Sequence, residues 1–171
     1  MSTVKVFCYG SNMSSERLKD RCEHAQFISK ASLPGYQFKF NKKSTDGSGK
    51  ANIIKTGSEN DVVWGVVFEI PKSEKPALDR AEGLNHGYEE LKLNVLGAEG
   101  NPIEAIAYIA MDKKYINENL VPYNWYKEHC LVGASEHNLP KEYIEILTSF
   151  EATDDPDSNR AIAEKSIYST K

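Results

Sequence analysis

Val4, Val6 and Cys8 alternate with Lys5 and Phe7, which predicts a strand over residues 4–9. Gly10-Ser11-Asn12 then breaks the pattern as a turn. Ser14 is placed to cap a helix over residues 15–22, with Glu16 in its first turn facing the positive end of the helix dipole. Strand signals follow: a short one at 26–29, alternating aromatics at 36–40, and residues 51–55 after the polar, Gly-rich stretch 42–50. Residues 61–70, DVVWGVVFEI, form the most apolar run and predict a central strand, with Gly65 marking a bend or a close backbone approach. The period changes over 71–83: Ser73 can cap a helix, Pro76 suits its first turn and Gly83 can end it. Residues 88–96 and 103–110 alternate again around a GAEGNP turn and predict a hairpin. Helical spacing returns over 125–135 and from Pro140 to Phe150. Strands in the middle and helices at the end make the class α+β, with about six strands able to curl into a small barrel.

The 171 residues suit one domain, expected over 1–150, and the acidic, Pro-containing stretch after it reads as a tail over 151–171 that can hold a short helix. A net charge of −4 argues against a non-specific nucleic-acid binder. No apolar run reaches the length of a membrane span and the start lacks signal-peptide character, so the expected compartment is the cytoplasm. Three cysteines without CxxC spacing and four histidines without HExxH spacing lead to an expectation of reduced thiols and no metal.

Two places carry candidate chemistry. A strand that delivers the chain to a helix start leaves N–H groups without helical partners, and Gly10, Ser11 and Asn12 sit there, suited to a carboxylate or a phosphate. The same residues also fit an ordinary turn, and they match neither GxGxxG nor GxxxxGK[ST]. Glu82 stands just before Gly83, where the negative end of a helix would raise its pKa, the more so if buried, and suit it to general acid/base work; a solvated glutamate before a C-cap glycine is the plainer alternative. Asp79, three residues earlier, and Glu89 and Glu90 are rivals. Tyr9, Tyr88, Tyr108, Tyr123 and Tyr126 can line a pocket or pack a core. Thiol catalysis is disfavoured, since His129 and Cys130 are neighbours on one helix and point apart, and Cys8 lies in a strand.

Taken in order over about residues 4–150, YGSNM, SERL, KANI, VVWGVVFEI, LDRAEG, GYEELKLNV, AIAYIA and YKEHCLVGASEHNLPKEYIEIL resemble the γ-glutamylcyclotransferase family. The resemblance implies a small mixed β-barrel of about five to seven strands flanked by helices. It implies a binding loop of Tyr9, Gly10, Ser11 and Asn12, a general acid/base at Glu82, and pocket tyrosines at Tyr88 and Tyr126. The implied reaction cyclises a small-molecule γ-glutamyl amide to 5-oxoproline and releases the free amine, with no cofactor. A homodimer is also implied. The alternatives are a non-catalytic binding module for a γ-glutamyl or other acidic metabolite, and an interaction protein whose pocket the tail plugs. The LNHG stretch before Tyr88 departs from the family pattern and brings His86 near the site without a role, and the stretch 42–50 leaves substrate size open.

Overall fold

The computed structural model describes residues 2–169; the first residue of the expected domain and the last two of the expected tail lie outside them. Seven strands are formed: β1 (Thr3–Cys8), β2 (Gln26–Pro34), β3 (Tyr36–Lys43), β4 (Gly49–Lys55), β5 (Val62–Pro71), β6 (Glu89–Gly97) and β7 (Pro102–Ile109). Five of them close a barrel in the order β1-β5-β2-β6-β7. Neighbours run antiparallel except at the seam, where β1 and β7 meet in parallel at Val6 and Ile106. β5 pairs along its length with both β1 and β2, and Val63, Val66, Val67, Phe68 and Ile70 are buried along it, in keeping with its apolar run; in a closed barrel no strand is central. Gly65 marks a close approach: a Cβ there would lie 2.5 Å from the Cys8 carbonyl oxygen.

β3 and β4 stay out of the barrel as a separate two-stranded ribbon. Their aromatics pack on the helices instead, with Phe38 and Phe40 edge-on to each other and to Phe150. β2 runs five residues past the short strand expected at 26–29. Ala31 and Leu33 continue its buried face, and the small Ala31 made that alternation faint in the sequence. The stretch expected as a loop over 42–50 is narrower, because β3 extends through Lys43 and β4 begins at Gly49. Asp46 ties the remaining turn, accepting from the Ser48 N–H at 2.9 Å and from Lys50 Nζ at 2.8 Å.

Five helices complete the fold: α1 (Ser15–Lys19), α2 (Lys75–Glu82), α3 (Asn124–Glu136), α4 (Lys141–Ser149) and α5 (Ser158–Ser166). A single 3-10 turn, Ser11–Met13, precedes α1. α1 is shorter than the 15–22 expected, while Ser14 caps it as expected, its hydroxyl accepting from the Arg17 N–H. α2 starts later than a Ser73 cap implies. Glu74 holds the cap position without a side-chain bond, and its carboxylate is taken by His24 at 2.5 Å. α3 buries Trp125, Tyr126, His129, Cys130, Gly133 and Ala134 on one side. Gly133 is where α3 meets the 3-10 turn: a Cβ there would lie 2.3 Å from the Met13 carbonyl carbon and the Ser14 nitrogen. After Phe150 the chain crosses α3, with Trp125 Nε1 donating to Asp155 at 2.8 Å. α5 then docks through Glu164, which accepts from Arg17 at 2.5 Å, and Tyr168, whose hydroxyl lies 2.6 Å from His129 Nδ1. No helix among the described residues is long and apolar enough to cross a membrane.

Candidate active site

β1 ends at Cys8 at one mouth of the barrel, and the chain turns there through Tyr9 to Asn12. α2 ends at the same mouth. Its last residue, Glu82, is followed by Gly83 in the left-handed conformation (φ 64°), which closes the helix by donating to Arg80 and hands the chain to β6. These two chain reversals enclose a cavity of about 370 Å³, counting its open mouth. Tyr9, Gly10, Ser11, Asn12, Glu82, Tyr88 and Tyr126 all line it, together with Tyr108 and Ala51. Residues 70 apart in sequence meet directly: Asn12 Nδ2 donates to Glu82 Oε1 at 2.5 Å, and the buried Asn12 Oδ1 has no partner among the described residues. The backbone N–H groups of Gly10, Ser11 and Asn12 donate to no acceptor among the described residues.

Glu82 is half-buried, and its pKa is raised, as its position suggested. Burial, expected only to reinforce the effect of the helix end, is the leading cause. Removal of the carboxylate from water raises the pKa; Arg21, the Asn12 hydrogen bond, Arg17 and Lys42 oppose the rise. A carboxylate whose pKa is raised by burial suits a group that must first accept a proton and later return it.

The hydroxyls of the pocket tyrosines are already engaged. Tyr88 donates to the Ala51 carbonyl at 2.5 Å, and Tyr126 accepts from the Ala51 N–H at 3.2 Å, so the two clamp one residue of β4 from both sides. The Tyr9 hydroxyl donates to the Tyr108 carbonyl. Their rings, rather than free hydroxyls, shape the cavity. The constraint at Gly10 is a neighbouring strand: a Cβ there would lie 2.7 Å from Ala51 Cβ.

The rival carboxylates are placed elsewhere. Asp79 accepts from the Tyr108 hydroxyl at 2.6 Å and pairs with Lys75, as does Glu90, while Glu89 lies exposed on β6. Tyr123 turns away and donates to the Asp46 carbonyl. No described residue after Phe150 lines the cavity. Burial pushes the Cys22 thiol to about 11 and Cys130 to about 12, and Cys8 is driven up by the same cause; all three stay protonated and weakly nucleophilic.

Residues 62–147 match the model of the AIG2-like family. The γ-glutamylcyclotransferase of Bos taurus is 34% identical over 154 residues, covering 86% of this chain and 79% of the bovine one; that of Homo sapiens gives the same figures. The chain belongs to the γ-glutamylcyclotransferase family. A solved structure called gamma-glutamyl cyclotransferase superposes with a TM-score of 0.81 at 30% identity, over 96% of this chain and 99% of that one. The γ-glutamylcyclotransferase fold therefore accounts for the barrel and for its helices alike.

Sequence reasoning missed the groups that surround Glu82 in this γ-glutamylcyclotransferase relative. Arg17 and Arg21 sit four apart at the start of the chain, a spacing that places them on one side of α1 and its following turn. Lys42 lies at the start of the polar, Gly-rich stretch expected as a loop. Ala51 carries no chemical signal; its part is played by its backbone.

Proposed function

We propose that this chain cyclises γ-glutamyl amides to 5-oxoproline and releases the free amine, with Glu82 as general acid/base and the Tyr9–Asn12 loop holding the substrate. The observation that carries the reading is the Asn12–Glu82 contact of 2.5 Å, which joins the loop and the carboxylate in one cavity. The substrate supplies both reacting groups, so the site's task is to fold it into an attack geometry. At neutral pH the α-amine is mostly protonated. Ionised Glu82 takes that proton, the freed nitrogen attacks the γ-carbonyl carbon, and a five-membered ring closes through a tetrahedral intermediate. The ring nitrogen sheds its second proton to water as the C–N bond to the leaving group breaks, and Glu82 returns the first proton to the departing nitrogen. Such transfers are typically worth ~10²–10⁴-fold.

Glu82 serves the two nitrogens attached to the reacting carbon, so the oxygen on that carbon falls within reach of the loop tethered to Glu82. The backbone N–H groups of Gly10, Ser11 and Asn12 are the donors suited to that developing oxyanion. Asn12 Oδ1 is an acceptor suited to the substrate ammonium. The three buried, unpaired cysteines fit a reducing compartment such as the cytoplasm, and the homodimer implied by the family resemblance belongs to this reading as well.

The test is turnover of γ-glutamylalanine against its N-acetyl derivative. Release of 5-oxoproline and alanine from the first, with none from the second, is the expected result, because acetylation removes the nucleophile. Release of alanine from both compounds would mean hydrolysis by water and would overturn the cyclisation reading.

A further inference from the structure

Beside the cavity lies a wider depression of about 790 Å³, open mouth included, that shares Ser11, Glu82, Tyr88 and Tyr126 with it. Its walls carry Arg17, Arg21, Lys42, Lys50 and Arg80, against Glu82 as the one carboxylate. That concentration occurs in a chain with a net charge of −4. Arg17 is paired with Glu164 and Lys50 with Asp46. Arg21, Lys42 and Arg80 form no ion pair among the described residues. Lys42 Nζ lies 4.8 Å from the centre of the Tyr88 ring and Lys50 Nζ 4.5 Å from that of Tyr126, so each ammonium stands one ring away from the inner cavity. Arg21 donates one bond to the Arg17 carbonyl, and its buried Nε has no acceptor among the described residues. Burial draws the pKa values of Arg21, Lys42 and Lys50 downward, a cost that a nearby anion offsets.

Glu82 lines both spaces, and the scissile nitrogen must reach Glu82. With the γ-glutamyl half in the inner cavity, the leaving half therefore extends into this vestibule. We propose that the vestibule selects leaving amines that carry two carboxylates, such as the glutamate or aspartate of a γ-glutamyl dipeptide, over neutral ones; this rests on the cyclisation reading of the inner cavity. The α-carboxylate of any amino acid engages one of the unpaired cations. A second carboxylate uses the others, and an extra charge interaction in a partly desolvated site is worth about tenfold or more.

The experiment compares γ-glutamylglutamate with γ-glutamylglutamine, which match in shape and differ by one charge. At low salt, kcat/KM should favour the glutamate compound by about tenfold. The preference should shrink toward unity at about 0.5 M salt. Arg80→Gln should lower the ratio at least about threefold; Arg80 is exposed at the rim and is not among the groups that act on Glu82. Equal kcat/KM for the two dipeptides would overturn the vestibule proposal and leave cyclisation standing. Absence of 5-oxoproline from both would overturn cyclisation. In that case, calorimetric binding of the two dipeptides to folded Glu82→Gln protein decides the vestibule: tighter binding of the glutamate compound supports it, and equal or absent binding ends it.

Discussion

Replacing Gly10 by Ala adds one methyl group at the narrowest point of the site. Its Cβ would stand 2.7 Å from Ala51 Cβ, where ordinary contact begins at 3.4 Å. Ala51 has little room to retreat. It is 2% exposed, and the hydroxyls of Tyr88 and Tyr126 grip its carbonyl and its N–H. Overpacking of this kind costs about 1–3 kcal/mol. The stiffer unfolded chain returns about 0.4–1 kcal/mol, which leaves a net loss of about 1–2 kcal/mol, or roughly 2–8 °C in Tm for a chain of this size. Activity should suffer more, because a shift of several tenths of an ångström in the loop moves its amide donors away from the reacting oxygen; a fall of about 100-fold in kcat/KM is expected. Differential scanning fluorimetry and an assay of 5-oxoproline release read the two effects. Adding Ala51→Gly to Gly10→Ala removes the colliding atom and should recover most of both losses. A Gly10→Ala protein with unchanged Tm and turnover, or a double variant no better than the single one, would refute the steric reasoning.

Asn12→Ala removes the hydrogen bond that holds Glu82 and helps keep it ionised, so the acid limb of the kcat/KM–pH profile should move to higher pH, with turnover down about 10–100-fold from loss of one charge-assisted bond; an unmoved limb would remove Asn12 from that role. Glu164→Gln should destabilise the protein at pH 7 by about 1–3 kcal/mol, since Arg17 loses its partner inside a partly buried contact. Burial acts to raise the Glu164 pKa, but the His129 hydrogen bond and Arg17 outweigh it and depress it to about 2. The stabilisation is thus present above the ordinary carboxylate pKa and is lost as pH falls toward about 2, so urea titrations of wild type and variant should converge over that range. Gly133→Ala forces backbone apart at Met13 and Ser14 and should cost more than Gly10→Ala, about 3 kcal/mol or above, read as a larger drop in Tm.

Barrel strands β1, β5, β6 and β7 were legible because the hydrophobic period records their buried faces directly, whereas β2 was read only over 26–29, since its buried positions, Ala31 and Leu33, come later and one of them is small. Glu82 was legible through Gly83, since a glycine that closes a helix fixes where the preceding side chain emerges. Other features follow from contacts distant in sequence. The alternation of β3 and β4 looks like that of any half-buried strand, and only the helices above them show why they leave the barrel. The hydroxyls of Tyr88 and Tyr126 meet the backbone of Ala51, a residue 37 and 75 positions away, which no local pattern marks. Arg17 meets Glu164 across 147 residues, so nothing local marks either as a partner of the other. The raised pKa of Glu82 was reached from the helix end with burial as a reinforcement, whereas burial is the leading cause and the cations that moderate it could not be read from the sequence.

The central claim is that Glu82 carries the proton in a cavity where the substrate attacks itself. Its most direct test is a single-turnover measurement of 5-oxoproline formation from a γ-glutamyl dipeptide by wild type and Glu82→Gln, with dipeptide affinity measured on the same proteins. Gln keeps the shape and can still accept from Asn12, so the account expects dipeptide affinity within about threefold of wild type and ring closure slowed by ~10² or more. Ring closure at the wild-type rate in the Gln variant would contradict it.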